Sequence, residues 1–191
     1  MLDINFNNFN KPRQGSLLIA EPFTDDDYFR RSVVLLCEHN EKGSFGFVLN
    51  NYIDLDFNEL SQDILSIDTP VSVGGPVDIS NMYYLHTFKD VPDSIKVTDD
   101  IYLGGDYPFL IKKLKDCEFP ENHARFFLGY SGWGKMQLEE EIIGKSWAVL
   151  NGSIHGLIMD TDQNDLWKKS LGKLGHKFKL FRNFPINPND N

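Results

Sequence analysis

The stretch "SVVLLCEHNEKGSFGFVLN", residues 32–50, decides the fold class. Side chains along a strand alternate between two faces. Alternation puts Val33, Leu35, Cys37 and His39 on one face and Val34, Leu36 and Glu38 on the other. Both faces are apolar as far as Glu38, the pattern of a central strand covered on both sides. The polar insert "NEKGS" is a turn and "FGFVLN" returns as a second strand. The pair reads as an antiparallel hairpin with a loop of middle length. A hairpin here, in place of a βαβ unit, predicts an α+β fold on a mixed, mainly antiparallel sheet with flanking helices.

Working outward, "GSLLIA" (15–20) is a buried strand, and the polar "TDDDYFRRS" connects it to the hairpin. Asp56 opens a helix, with Glu59 at the capping-box position and Phe57, Leu60 and Ile64 on one face. "VSVGG", "MYYLHTF" and "IYLGG" read as strands. Asp106 caps a helix on which Tyr107, Leu110, Ile111 and Leu114 share a face. "ARFFLGY" is a strand running into a glycine turn at "SGWG". "KMQLEEEII" is a short helix or an extended arm, "WAVL" a strand and Asn151-Gly152 a tight turn. Asp165 caps a helix ended by Gly175, and "HKFKLF" alternates like a last strand. No composition break divides the chain. One domain over residues 15–184 is expected, between a flexible lead-in at 1–14 and a loose tail at 185–191.

Apolar residues make up 41% and charged residues 25%, so an ordinary globular core is expected. No run reaches the ~18 apolar residues of a membrane span, and the N-terminus lacks the basic start and apolar run of a signal peptide. A cytoplasmic location without membrane contact follows as an expectation. Cys37 and Cys117 are far apart and in no CxxC pair, so no structural zinc site is expected. The net charge is −9, and the charge is unevenly placed. Lys168, Lys169, Lys173, Lys177, Lys179 and Arg182 fall within 166–183 with no acid among them. This basic segment is expected to dock on the acidic body. The alternative is an anion-binding edge through Lys168, Lys169 and Lys177.

Catalytic motifs are incomplete. A nucleophile elbow needs G-x-S-x-G. Gly129 and Ser131 fit, but Trp133 stands where the second glycine belongs. Gly144-Lys145-Ser146 ends like a P-loop, yet Glu139 replaces its first glycine. "DTDQND" (160–165) starts like a calcium loop, but Asp165 and Leu171 occupy the positions of its glycine and its glutamate. Gly74-Gly75 and Gly104-Gly105 read as turns. His39, His86 and His155 read as packing residues, Cys37 as a buried hydrophobe and Ser131 as the small residue of a turn that exposes Trp133.

In order along the chain, "GSLLIAEPFTDDDYFRRSVVLLCEHNEKGSFGFVLN", "VSVGGPV", Leu85-His86, "IYLGGD", "RFFLGYSGWGKMQLEEEI" and "LWKKSLGKLG" resemble the YqgE/AlgH family of bacterial proteins. The resemblance covers about residues 15–175. It implies a single α+β domain whose mixed sheet folds into a pseudo-barrel, in a bacterial cytosolic protein. It also implies no established enzymatic activity. Members carry the label of transcriptional regulator, and nucleic-acid binding has been proposed for them. The motif positions Arg31, Ser32, Glu38, His39, Asn50, Gly74, Gly75, Pro76, His86, Gly104, Gly105, Tyr130, Ser131, Gly132 and Trp133 become candidates for a shared binding surface. Met136 departs from the pattern, which has a small residue there. The expectation is a non-enzymatic binding or regulatory protein that contacts a protein partner or nucleic acid and needs no cofactor or metal. A hydrolase using Ser131 and a redox-responsive protein using Cys37 are the alternatives. A pI near 4.9 and the lack of a helix-turn-helix pattern weigh against duplex DNA.

Overall fold

In the computed structural model, residues 6, 8, 10–53, 69–152, 154–161 and 165–185 are described. The hairpin forms as strands β2 (Val33–Asn40) and β3 (Gly43–Val48). Its loop is shorter than the sequence predicts: Asn40 pairs with Gly43, and only Glu41 and Lys42 turn between them. The Asn40 side chain accepts the Lys42 backbone N–H at 2.8 Å, an interaction that asparagine brings to turns.

Around the hairpin lie β1 (Leu17–Ala20), β4 (Val71–Val73), β5 (Val77–His86), β6 (Ile95–Lys96), β7 (Tyr102–Leu103), β8 (Ala124–Gly134) and β9 (Trp147–Leu150). The strand order is β6-β7-β5-β8-β3-β2-β1-β9, with β4 added on β8. Among the described residues only the β4–β8 pair is parallel. The sheet is therefore mixed and mainly antiparallel, and β2 is internal to it. It curls until Gln14, leading into β1, donates through Nε2 to the carbonyl of Lys96 in β6 at 2.7 Å. A side chain closes this pseudo-barrel where no backbone ladder does among the described residues.

Alternation sorts the side chains as read. Leu17, Ile19, Val33, Leu35, Cys37, Phe47 and Phe127 point into the interior, with Leu85 and Leu103 from the other half of the sheet. The interior is plugged by Trp167 and Leu171 of α4 (Leu166–Leu174) and Phe178 of α5 (His176–Lys179). Outside, Leu18, Val34, Leu36 and Val149 pack under Leu138 and Ile142 of α2 (Gln137–Ile143). On the other half, Val71, Ala124 and Phe126 pack under Leu110, Ile111 and Leu114 of α1 (Tyr107–Lys115). As the sequence indicates, Asp106 caps α1, accepting from Phe109 N at 2.8 Å. A one-turn helix, α3 (His155–Ile158), lies between β9 and α4 in the chain.

Four local readings change. The strand at "ARFFLGY" does not stop at a turn: β8 continues through "SGWG", pairing first with β4 and β5 and then with β3. "HKFKLF" is helical, as α5 and a 3-10 turn, because Phe178 and Phe181 are spaced to plug the barrel beside Phe6. Asp165 precedes α4 but makes no capping hydrogen bond; its carboxylate pairs with Lys168 at 3.0 Å. In the segment expected as a flexible lead-in, Phe6 is buried against Phe178 and Phe181. Nearby, the Asn8 and Asn10 side chains bond the Val149 backbone on the open edge of β9. The helix expected from Asp56 lies outside the described residues.

Arg125 of β8 went unnoticed in the sequence. It is 1% exposed and donates to the carbonyls of Leu49, Ile158 (2.8 Å) and Asp160 (3.4 Å), and to the hydroxyls of Tyr52 (3.1 Å) and Ser72 (3.4 Å). It joins two chain segments that share no ladder.

Candidate functional site

The glycines at 74 and 75 set the geometry of the site. β4 lies on the same edge of β8 as β3, whereas β5 lies on the opposite edge. The chain must therefore cross β8 between residues 73 and 77. It crosses backbone to backbone: a Cβ on Gly75 would lie 1.9 Å from the Tyr130 carbonyl carbon, and one on Gly74 would lie 2.5 Å from the Gly129 oxygen. These glycines serve close approach of two chains, not of a ligand. Gly129, with φ +65°, marks the bend in β8. The face parity flips there: Phe127 points into the barrel, while Trp133 points outward.

Ser131 sits at this crossing. It is fully buried, and its hydroxyl donates to the Gly74 carbonyl at 3.0 Å. It lies within β8 and not in a turn, and its hydroxyl is bonded to a carbonyl and not to a base. Trp133, expected to be exposed, is only 6% exposed. Its indole stands edge-on to that of Trp147 at 6.0 Å, with the Phe29 ring 6.4 Å from Trp133 and 5.4 Å from Trp147.

Between these rings and α2 opens a cleft of about 340 Å³, lined also by Thr24, Asp26, Pro76, Gly132, Gln137, Glu141 and Ser146. Glu141 organises it. Its Oε2 accepts the indole N–H of Trp133 at 2.8 Å and that of Trp147 at 2.7 Å. Its Oε1 accepts the Gln137 amide at 3.0 Å, and Gln137 in turn accepts from Gly134 N at 3.0 Å. No Lys, Arg or His pairs with Glu141 among the described residues. The sequence held one usable signal for it: Leu138 and Ile142 are the apolar positions of α2, and a residue three after Leu138 shares that face.

The remaining candidates do not join this cleft. His86 is fully buried among Tyr84, Phe88 and Tyr102, donating through Nε2 to the Gly104 carbonyl at 2.9 Å. Burial pushes its pKa below the ordinary histidine value. Gly104 and Gly105 both have positive φ, and Gly105 packs against the Pro92 carbonyl. Asn50 is a backbone clamp, accepting from Val33 N at 2.8 Å and donating to the Arg31 carbonyl at 2.9 Å. The Arg31 guanidinium lies over the Trp167 ring at 4.8 Å and donates to the Phe184 carbonyl. Tyr130 packs on Phe45 and Tyr83, toward the barrel. His39 meets the Ser44 hydroxyl at 2.7 Å, and Glu38 is exposed and accepts from Asn40. These residues thus fall into four groups outside the cleft lining: the His86 ring cluster, the Asn50–Arg31 clamp, Tyr130 and the Glu38–His39 end of β2.

Cys37 is buried, and burial pushes its thiol pKa far up, which disfavours the thiolate needed for redox chemistry. In the basic segment, Lys169 pairs with Asp160 at 2.7 Å and Lys168 with Asp165. Lys177 lies over the Phe178 ring. Both acids lie just before α4 in sequence, so these pairs are local to the segment. No cluster of three or more metal-ligating side chains occurs among the described residues, and no helix there is long and apolar enough to cross a membrane.

Fold and cleft together define an α+β protein whose curled, mainly antiparallel sheet carries an acid-and-indole cleft on its outer face. The chain belongs to the AlgH-like family (DUF179), whose model matches residues 17–179. A UPF0301 protein of Parabacteroides distasonis is 41% identical over 180 residues, 93% of this chain and 90% of the relative. One from Bacteroides thetaiotaomicron is 37% identical, covering 94% and 92%. Two solved structures share the fold. The crystal structure of protein DIP2367 from Corynebacterium diphtheriae has a TM-score of 0.74 at 21% identity, covering 93% of this chain and 95% of that one. The solution structure of AlgH from Pseudomonas aeruginosa has a TM-score of 0.68 at 22% identity, covering 92% and 97%.

Proposed function

We propose that this is a non-catalytic regulatory protein of the bacterial cytoplasm, which acts by binding another protein at the Trp133–Glu141 cleft. The observation that carries the reading is the Glu141 carboxylate, held among aromatic rings and, among the described residues, unpaired with a cation. Such a group is prepared to receive a partner's positive charge. The groups that would make an enzyme lie elsewhere and are committed: Ser131 to Gly74, His86 to Gly104 and Cys37 to the interior. A net charge of −9 opposes contact with phosphates, so any effect on gene expression would act through a protein partner rather than through DNA.

The test is photo-cross-linking in a bacterial lysate from a photoreactive phenylalanine placed at Thr24, with Lys112 on the far helix as control position. Protease-sensitive adducts from position 24 and none from position 112 support the reading. Adducts sensitive to nuclease, or identical from both positions, overturn it.

A further inference from the structure

Resting on that reading, the cleft also specifies which chemical group it takes. An ionised carboxylate offers roughly four acceptor sites, two on each oxygen. The two indole N–H groups fill both sites of Glu141 Oε2, and the Gln137 amide takes one of Oε1. One site on Oε1 remains. A guanidinium bound in its preferred bidentate manner needs one free site on each oxygen, which Glu141 does not offer. A primary ammonium is a compact charge that needs a single acceptor. Its alkyl stem suits the apolar walls supplied by Phe29, Trp133 and Pro76, and ring faces attract the cation. Asp26, which also lines the cleft, adds a second negative charge. The volume of about 340 Å³ falls at the low end of the ~300–1,000 Å³ of small-molecule sites, the size for one side chain and not for a folded element.

We propose that the cleft binds one lysine side chain of a basic partner polypeptide, with its ammonium on Glu141 Oε1 and its stem between Phe29 and Trp133. The pre-positioned carboxylate gives the site selectivity for lysine over arginine. Acetylation of that lysine removes its charge and releases the partner.

The indole N–H groups report on the site. Three tryptophans give three indole resonances; those of Trp133 and Trp147 meet Glu141 directly, whereas that of Trp167 donates to the carbonyl of the cleft residue Ala20 at 2.8 Å and serves as the reference for indirect shifts. A short peptide with one central lysine between glycines, blocked at both ends, is titrated into isotope-labelled protein at low salt. Saturable shifts of the Trp133 and Trp147 indoles, larger than that of Trp167, are expected. The arginine peptide binds at least fivefold more weakly, the acetyl-lysine peptide produces no shift, and Glu141→Gln weakens lysine binding at least tenfold. Asp26→Asn, which leaves the indole contacts in place, weakens it severalfold, so the proposal stays open to test even if the Glu141 variant fails to fold. Absence of a saturable shift, or equal binding of the arginine or acetyl-lysine peptide, overturns the inference. If cross-links still form from position 24 in that event, the protein-binding reading stands and only the lysine assignment falls.

Discussion

The Ser131 hydroxyl and the Gly74 carbonyl lie 3.0 Å apart, and that bond is made where two chains cross. The one serine set like a nucleophile is a strap between β8 and the segment passing over it. Ser131→Ala leaves a buried carbonyl without this donor and should cost about 1 kcal/mol in urea unfolding. A broad serine-reactive probe should label the wild-type protein no more than the variant. Selective labelling of the wild type would restore the hydrolase alternative.

Gly75→Ala puts a methyl group into the Tyr130 backbone, and neither strand can yield without losing its ladder. A loss of roughly 3 kcal/mol or more is expected, read as a lowered urea midpoint or as insoluble expression. Gly104→Ala meets no atom within 4 Å, so only its positive φ of +66° resists, and a loss of about 1 kcal/mol is expected. Equal costs at the two positions would contradict the crossing as the reason for the Gly74-Gly75 pair.

How far the sequence revealed this can be traced through particular residues. The alternation of 33–37 gave the central strand, because burial on both faces leaves a continuous apolar run. Asp106 was legible because capping is local. "SGWG" misled because glycines at a backbone crossing and glycines in a turn have the same composition; only the partner strand distinguishes them. "HKFKLF" misled because the alternation through Phe178 and Leu180 overlies a second spacing, the i, i+3 pair Phe178 and Phe181, which is the one the helix buries. Trp133 stands out in the sequence, but its burial does not, since Trp147 and Glu141 that cover it come from later elements. Arg125 gave no signal, because its partners are main-chain carbonyls, which every sequence supplies, and two hydroxyls from distant positions, Tyr52 and Ser72.

Cys37 and Cys117 should differ sharply toward an alkylating reagent. Cys37 is 3% exposed, whereas Cys117 is half-buried just beyond α1, its thiol near the Lys113 carbonyl at 3.3 Å. One thiol per native chain is expected to react, and the second only on unfolding. Rapid modification of Cys37 in native protein would revive the redox alternative.

His86 predicts a pH dependence of stability. Its folded pKa lies below the ordinary 6.5 because burial disfavours the charged ring. Below that value the unfolded chain takes up a proton that the folded chain refuses. The His86 contribution is therefore complete above pH ~6.5 and declines as pH falls toward the folded pKa, by at most about 1.4 kcal/mol per pH unit. Gln at this position keeps a donor for the Gly104 carbonyl but does not titrate. Urea unfolding of His86→Gln across pH 5 to 8 should show a shallower decline than the wild type. Parallel curves would mean that His86 is charged or reached by water in the fold.

Arg125 carries the last prediction, and it separates a local joint from general stability. The guanidinium ties residues 49–52 to 158–160 through carbonyls and hydroxyls, with its ring contacts to Tyr52 and Phe127 at 5.6 and 5.5 Å. Arg125→Met removes the cost of burying a charge but strands the carbonyl of Ile158 and leaves that of Leu49 only the Ser72 hydroxyl at 3.4 Å, at roughly 1–3 kcal/mol each. A net loss of about 3 kcal/mol is expected. Hydrogen exchange locates it. The amide of Ile53, bonded to Val71 O, and that of Met159, bonded to His155 O, lie in the two joined segments and should lose protection first. The β2–β3 amides depend on a ladder that Arg125 does not touch, so they should fall only by the global change in stability. Uniform loss across the sheet, with no excess at Ile53 and Met159, would show that Arg125 contributes packing to β8 and does not act as a joint.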